Sequence, residues 1–294
     1  MINLYRPIRA VLGMLSLTLT VFCGARAEAD PAMWVIKDAD STVYLLGTIH
    51  VLKPGTDWRS EKLDAALKSS SEYWMEADIV QDVAVAQTYA LNFGTDTRHP
   101  LAEKIGEANY AKLVALLERL KIPNTQLPQT RPWLATLALM RAQVMSDGYD
   151  PALGVDQTLE NEAMAEGKPV KAFETASEQL GFFAHMPEIE ASEMLIQTMN
   201  ELDQGGQLVD EMATAWLAGD VKALQKLANE RMRKEAPLLY DLILVQRNTR
   251  WVKQIDTMLK GSGTQFIAVG TAHLIGPDSV PEKLRKLGYK IERY

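Results

Sequence analysis

Two hydrophobic periods alternate along this chain, one of two residues and one near 3.6, and they predict strands separated by helices. Trp34-Val35-Ile36 and Val43-Tyr44-Leu45-Leu46 flank Asp38-Ala39-Asp40. That order predicts a hairpin whose second strand, almost wholly apolar, is buried on both faces. A helix over 61–68 follows, then a strand over 73–77. Residues 169–173 read as a fourth, buried strand, and 265–269 as a fifth between glycines. Tyr289-Lys290-Ile291 is expected as an edge strand. Between these, Tyr110, Leu113, Val114, Leu117 and Leu120 keep the helical period. Pro132 opens a helix that stops near Gly148. Asp156 is expected to cap a helix ending at Gly167, and Thr175-Ala176-Ser177-Glu178 has the capping-box pattern. Residues 187–260 read as almost entirely helical, broken at Gly205-Gly206, Gly219-Asp220 and Pro237.

Strands alternating with helices indicate an α/β fold: a mostly parallel central sheet, flanking helices and a large helical insertion. The insertion, about 187–260, is expected to form a lobe over one end of the sheet. No Pro/Ser/Gly tract divides the chain, so 28–294 reads as a single domain.

The first residues change the picture of where this domain works. Arg6 and Arg9 precede an apolar run over 11–22, and Ala25-Arg26-Ala27 supplies a small-x-small cleavage signal. This is the layout of a secretory signal peptide over 1–27. The apolar run of about a dozen residues is too short to span a bilayer, which needs roughly 20. Cys23 suggests a lipoprotein anchor, but Phe22 stands where such an anchor needs a small residue. The periplasm is the expected location. Cys23 is the one cysteine of 294 residues, so the processed chain has neither disulfides nor a thiolate nucleophile. The formal charge of −7 becomes more negative once Arg6, Arg9 and Arg26 leave. Nucleic acid and anionic membrane surfaces are therefore poor partners. No membrane span is expected after signal removal.

Candidate chemistry begins with an internal echo. Tyr44-Leu-Leu-Gly-Thr-Ile-His50-Val-Leu and Ile267-Ala-Val-Gly-Thr-Ala-His273-Leu-Ile share an apolar strand, Gly-Thr, one residue, His, then two aliphatics. Glycine at a strand end permits a sharp turn, and His is then presented at the strand's carboxyl edge, where open parallel sheets bind ligands. One copy alone is compatible with a histidine that merely bonds loop backbone. Two copies in one frame favour function. Glu76 and Glu174 end the third and fourth predicted strands, so parallel strands would bring His50, Glu76, Glu174 and His273 to one edge. Two imidazoles with one or two carboxylates suit a divalent metal with an open position, and a carboxylate outside the ligand set suits a general base. Either acid is equally compatible with a solvated strand end, and Glu174 also gains from the helix dipole that follows it. Arg247, Arg250 and Trp251 share a helix face, where an arginine either holds a substrate carboxylate or the site's own acids, or is simply solvated. His99 and His185, beside prolines, read as surface residues. There is no Gly-x-Ser-x-Gly elbow, Walker loop, Gly-x-Gly-x-x-Gly after a strand or His-Glu-x-x-His, so nucleotide cofactors and serine-triad hydrolysis have no support.

These segments resemble the TraB/PrgY/GumN family, which includes the animal Tiki proteins. The resemblance runs from Trp34 to Tyr294. It is carried by both Gly-Thr-x-His motifs, Met75-Glu76-Ala77-Asp78, the segments 148–156 and 167–175, and Arg247-Asn248-Thr249-Arg250-Trp251. Phe173 and Thr249 depart from the family's more usual Leu and Arg. The resemblance implies a fold akin to erythromycin esterase and the haem-binding ChaN proteins. It also implies metal-dependent proteolysis with Mn or Co, Zn being a further candidate on donor chemistry. His50 and His273 would then be metal ligands, Glu76 a ligand or base, and Arg247 a site residue. Fold kinship does not transfer a reaction. Three readings follow: the first is a periplasmic metal-dependent hydrolase of peptide or small-molecule substrates, and the second a non-catalytic protein that sequesters haem, metal or peptide. A third is a scaffold in envelope assembly.

Overall fold

The computed structural model describes residues 30–77, 82–123, 125–203 and 207–294. The signal segment, Cys23, Asp78 and the Gly205-Gly206 break lie outside the described residues. Strands β1 (Met33–Lys37), β2 (Ser41–Thr48), β3 (Glu72–Ala77), β4 (Val170–Glu174), β5 (Gly263–Gly270) and β6 (Ile291–Arg293) form one sheet in the order β4-β3-β5-β2-β1-β6. β2, β3, β4 and β5 run parallel, and β1 is antiparallel to both neighbours. The sheet is therefore mostly parallel, as the alternating pattern predicts, with the expected hairpin at β1–β2; the edge strand expected over 289–291 instead begins at Ile291 and runs to Arg293.

The sheet's second edge corrects an expectation. The run over 169–173 predicts a buried β4, but the strand pairs with β3 alone, and Lys171 is exposed. Four consecutive residues cannot distinguish a strand covered on both sides from an edge strand covered by a helix.

Helices α1 (Glu61–Ser69), α2 (Val83–Phe93), α3 (Leu101–Ile105), α4 (Glu107–Arg119), α5 (Pro132–Ser146), α6 (Val155–Ala165) and α7 (Ala176–Ala184) precede the long helical stretch. That stretch comprises α8 (Glu188–Asp203), α9 (Leu208–Leu217), α10 (Val221–Leu224), α11 (Arg231–Glu235), α12 (Pro237–Tyr240) and α13 (Gln246–Leu259), and α14 (Val280–Lys286) follows β5. The capping box of α7 forms as the sequence predicts: Thr175 Oγ1 accepts from Glu178 N, and Glu178 Oε2 accepts from Thr175 N. Such a cap contributes about 1 kcal/mol. Asp156 does not cap α6. Gly154 is the N-cap and Asp156 lies in the first turn, which frees its carboxylate for another partner.

Two cores hold the chain. Leu45, Leu46, Phe266, Ala268, Trp216 and Trp251 belong to the sheet core. Each fully buried leucine there contributes roughly 1.5–3 kcal/mol relative to exposure. Leu101, Leu113, Leu139, Leu195 and Met199 knit α3, α4, α5 and α8 into a separate helical core. The stretch 187–260 is thus divided: α8 packs in the helical core, while α9, α10 and α13 bury Trp216, Leu224 and Trp251 against the sheet. That attachment is what carries Arg247 to the sheet's edge.

Candidate active site

Because β2, β3, β4 and β5 are parallel, Thr48, Ala77, Glu174 and Gly270 end at the same edge. The structure brings His50, Glu76, Glu174, Arg247 and His273 together there. The two Gly-Thr-x-His motifs lie on adjacent strands, but one residue out of register: Thr48 pairs with Gly270, and Gly47 with Val269. They also leave their strands differently. The second enters a 3-10 turn over Thr271–His273, whereas the first continues as a loop. The echoed histidines therefore end in unlike surroundings, His50 with a side chain 61% exposed and His273 with one 5% exposed.

The motifs brace each other. Thr271 Oγ1 donates to Thr48 O at 2.9 Å, and Trp216 Nε1 donates to Gly47 O at 2.8 Å. Gly154 allows the close approach of His50 O, which would lie 2.5 Å from an added β-carbon. Val155 N donates to Ile49 O at 3.0 Å. Asn229, within a π-helical turn over Gln225–Glu230, donates to Ala272 O and Ile275 O and so clamps the second loop.

Both imidazoles are held at Nδ1. His50 Nδ1 lies 3.1 Å from Asp156 Oδ2. The charge of Asp156 raises the His50 pKa to about 9. His273 Nδ1 lies 2.6 Å from Asn248 Oδ1, and Asn248 Nδ2 donates to Asp278 O. That second bond assigns the Asn248 oxygen to the imidazole, so Nδ1 carries the hydrogen of His273 and Nε2 its lone pair. Burial pushes the His273 pKa down to about 3, and the charge of Arg247 adds to the effect.

Glu76 stands between them. Its Oε1 accepts from Gly270 N at 2.7 Å, and its Oε2 accepts from Arg247 Nη2 at 2.7 Å and Gln179 Nε2 at 3.2 Å. Burial alone would raise its pKa, but Arg247 overrides it and holds the carboxylate well below the usual range. Glu174 has a different place. Its side chain is 3% exposed, and three groups donate to it: Arg247 Nε, Arg250 Nη2 and Trp251 Nε1. With both oxygens engaged and no contact with the cavity, Glu174 fixes Arg247 and is poorly placed to move a proton. Arg247 follows a π-helical turn over Asp241–Val245, and its Nη1 reaches both Ile243 O at 3.3 Å and His273 Nε2 at 3.2 Å. It holds the site's own acids.

A cavity of about 210 Å³ opens beside these residues, lined among others by Thr48, His50, Glu76, Asp156, Gln157 and Gln179. Thr48 Oγ1 and Asp156 Oδ1 are buried without a protein partner among the described residues. Metal fit is decided at Gly270. An added β-carbon there would lie 3.0 Å from Glu76 Oε1, 3.3 Å from His50 Nε2 and 3.8 Å from His273 Cδ2. The glycine leaves a cradle faced by one carboxylate oxygen and one imidazole nitrogen, with the second imidazole alongside. The pattern of a ligating histidine whose other nitrogen bonds an acceptor is that of a metal site. As placed, no three His, Cys, Asp or Glu among the described residues form a group that could hold one ion, and Arg247 Nη1 lies 3.2 Å from His273 Nε2. The donor chemistry fits a divalent ion at His50 and Glu76, and His273 completes the set only on leaving Arg247.

Asp156, Asn248, Gln179 and Asn229 carry parts of this site that the pattern of residues did not assign. The His50–Asp156 contact joins residues 106 positions apart, and no local signal reports such a pairing. Asn248 at least sits within the Arg247–Trp251 motif. His99 and His185 are exposed, as expected. Two relatives, each named "Uncharacterized protein YbaP", come from Escherichia coli (strain K12) and Shigella flexneri. Each is 24% identical over 257 residues, covering 87% of this chain and 92% of the relative. The defining pattern of the TraB/PrgY/gumN family matches residues 32–293, which include both histidine motifs, the two glutamates and Arg247, and the chain belongs to that family.

Proposed function

We propose that this protein is a metal-dependent hydrolase of the periplasm, acting on peptides or related small acyl substrates. The observation that carries the reading is the cradle at Gly270, where His50 Nε2 and Glu76 Oε1 converge beside His273. His50 and Glu76 would hold a divalent Mn, Co or Zn ion, with His273 joining them once its Nε2 is released from Arg247. Such an ion supplies Lewis acidity toward a carbonyl. Asp156, which lines the cavity and whose Oδ1 has no protein partner among the described residues, would accept the proton of a water that enters beside the ion. Asp156 Oδ2 meanwhile orients His50. Arg247 keeps Glu76 ionised, which a ligand must be. Gln179 holds the same carboxylate from the α7 side. The leader over 1–27 supports export.

The cavity, at about 210 Å³, is smaller than the roughly 300–1,000 Å³ of pockets for drug-sized ligands. That favours a small reacting group over the sequestration of haem. The test is elemental analysis of the periplasmically purified protein beside a His50→Ala/His273→Ala double variant, followed by a peptide-library screen. Near-stoichiometric metal in the parent alone, with cleavage that chelator abolishes, is the expected result. Failure of both proteins to take up Mn, Co or Zn on reloading would overturn the reading.

A further inference from the structure

Helix α7 borders a second concavity. Ser177, Gly181, Phe182, His185, Leu242 and Arg250 line most of a groove of about 570 Å³. Gln179, one turn before Phe182, lines the first cavity, so α7 contributes to both. Arg250 is 45% exposed, and among the described residues its guanidinium has a single hydrogen-bonding partner, Glu174 Oε1, reached through Nη2 at 2.9 Å. Its other N–H groups remain available. The guanidinium is nevertheless fixed: Cζ lies 5.1 Å from the centroid of the Phe182 ring, which Arg247 approaches at 5.5 Å. An arginine loses rotamer entropy when it binds a ligand, and the ion pair and the ring have already removed much of that freedom. Glu178, the groove's carboxylate, is turned to the helix end, where Oε2 accepts from Thr175 N and Oγ1.

The groove is also coupled to the site. Glu174 holds Arg250 and Arg247, and Arg247 holds Glu76. The two arginines stand one turn apart, roughly 4.5 Å along the helix axis, against about 3.4 Å per residue in an extended peptide. We propose that this groove is a subsite for a free carboxylate of the substrate, adjoining an apolar or aromatic side chain. Arg250 takes the carboxylate through its unused N–H groups, and Phe182 and Leu242 take the side chain. For a peptide this selects substrates bound close to their carboxyl terminus. Naming the ligand a substrate rests on the hydrolytic reading; the binding itself does not.

The test compares binding of N-acetyl-phenylalanine and its carboxamide by NMR titration to the wild-type chain, Arg250→Met and Leu242→Glu. The acid is expected to bind about tenfold tighter than the amide, about 1.4 kcal/mol. Arg250→Met erases that preference. Leu242→Glu, which leaves the Glu174 ion pair intact, weakens the acid more than the amide, so it decides the matter should Arg250→Met not fold. Equal binding of acid and amide by the wild-type chain overturns the proposal, as does a preference that survives in either folded variant. None of these arms requires turnover, so they separate failure of the subsite from failure of the hydrolytic reading, which the metal and cleavage assays judge.

Discussion

The β-carbon that Gly47 lacks would lie 2.8 Å from Thr271 Oγ1, so the glycine of one histidine motif is the seat for the threonine of the other. Thr271 is in turn tied to Thr48 O. The repeat is thus a pair of interlocked parts, and His50 and His273 are positioned by each other's motifs as much as by their own.

Gly47→Ala is therefore expected to destabilise the fold by about 1–3 kcal/mol, the usual cost of overpacking. A lower urea midpoint at unchanged m-value would show it. A midpoint equal to that of the parent would mean that the two turns do not brace each other.

Gly270→Ala tests function instead. Its added carbon meets Glu76 Oε1 and His50 Nε2 at 3.0 and 3.3 Å, side-chain atoms with some freedom to give way. The expected outcome is a folded protein, destabilised by about 1 kcal/mol, the low end of the overpacking cost, because those atoms can shift. Metal uptake, however, falls at least tenfold. Titration with Mn or Co followed by elemental analysis would decide it, and undiminished uptake would place the ion elsewhere.

Arg247→Met removes the cation that lies between two buried carboxylates. Breaking a buried pair from one side costs about 3–5 kcal/mol, so a large drop in unfolding free energy is expected. Glu174→Gln keeps an acceptor for part of the network and should cost less. The reverse order would show that Glu174, not Arg247, is the hub.

The two imidazoles should titrate on opposite sides of neutrality. His50, raised to about 9 from 6.5 by Asp156, contributes stability that is complete below about pH 6.5 and is lost as pH rises through 9. His273, lowered to about 3 by burial, contributes stability that is complete above about pH 6.5 and is lost as pH falls toward 3. In metal-free protein, imidazole nitrogen NMR should find His50 cationic and His273 neutral at pH 7.5. Asp156→Asn should return His50 toward its ordinary value. A neutral His50 at pH 7.5 in the parent would contradict the Asp156 assignment.

Asn248→Ala leaves the His273 Nδ1–H without its buried acceptor, a loss of about 1–3 kcal/mol. It should also release the tautomer that points the Nε2 lone pair toward Arg247 Nη1. Both tautomers visible in the nitrogen spectrum of this variant, against one in the parent, would confirm that Asn248 sets it.

The sequence by itself determined the first five strands, the hairpin, the capping box at Thr175–Glu178 and the edge at which His50, Glu76, Glu174 and His273 would gather. Those features follow from periods of two and 3.6 residues, from turn and cap chemistry, and from the rule that parallel strands end on one side. Tertiary structure alone decided what each residue does there. The one-residue offset between β2 and β5 left His50 in the open and buried His273. Asp156, which resembles a helix cap in the sequence, became the partner of His50, and Glu174, which resembles a base, became the anchor of Arg247. Each of these outcomes rests on a contact between residues at least 73 positions apart or on strand register. Such contacts are fixed by how the sheet and α13 pack, which local periodicity does not encode.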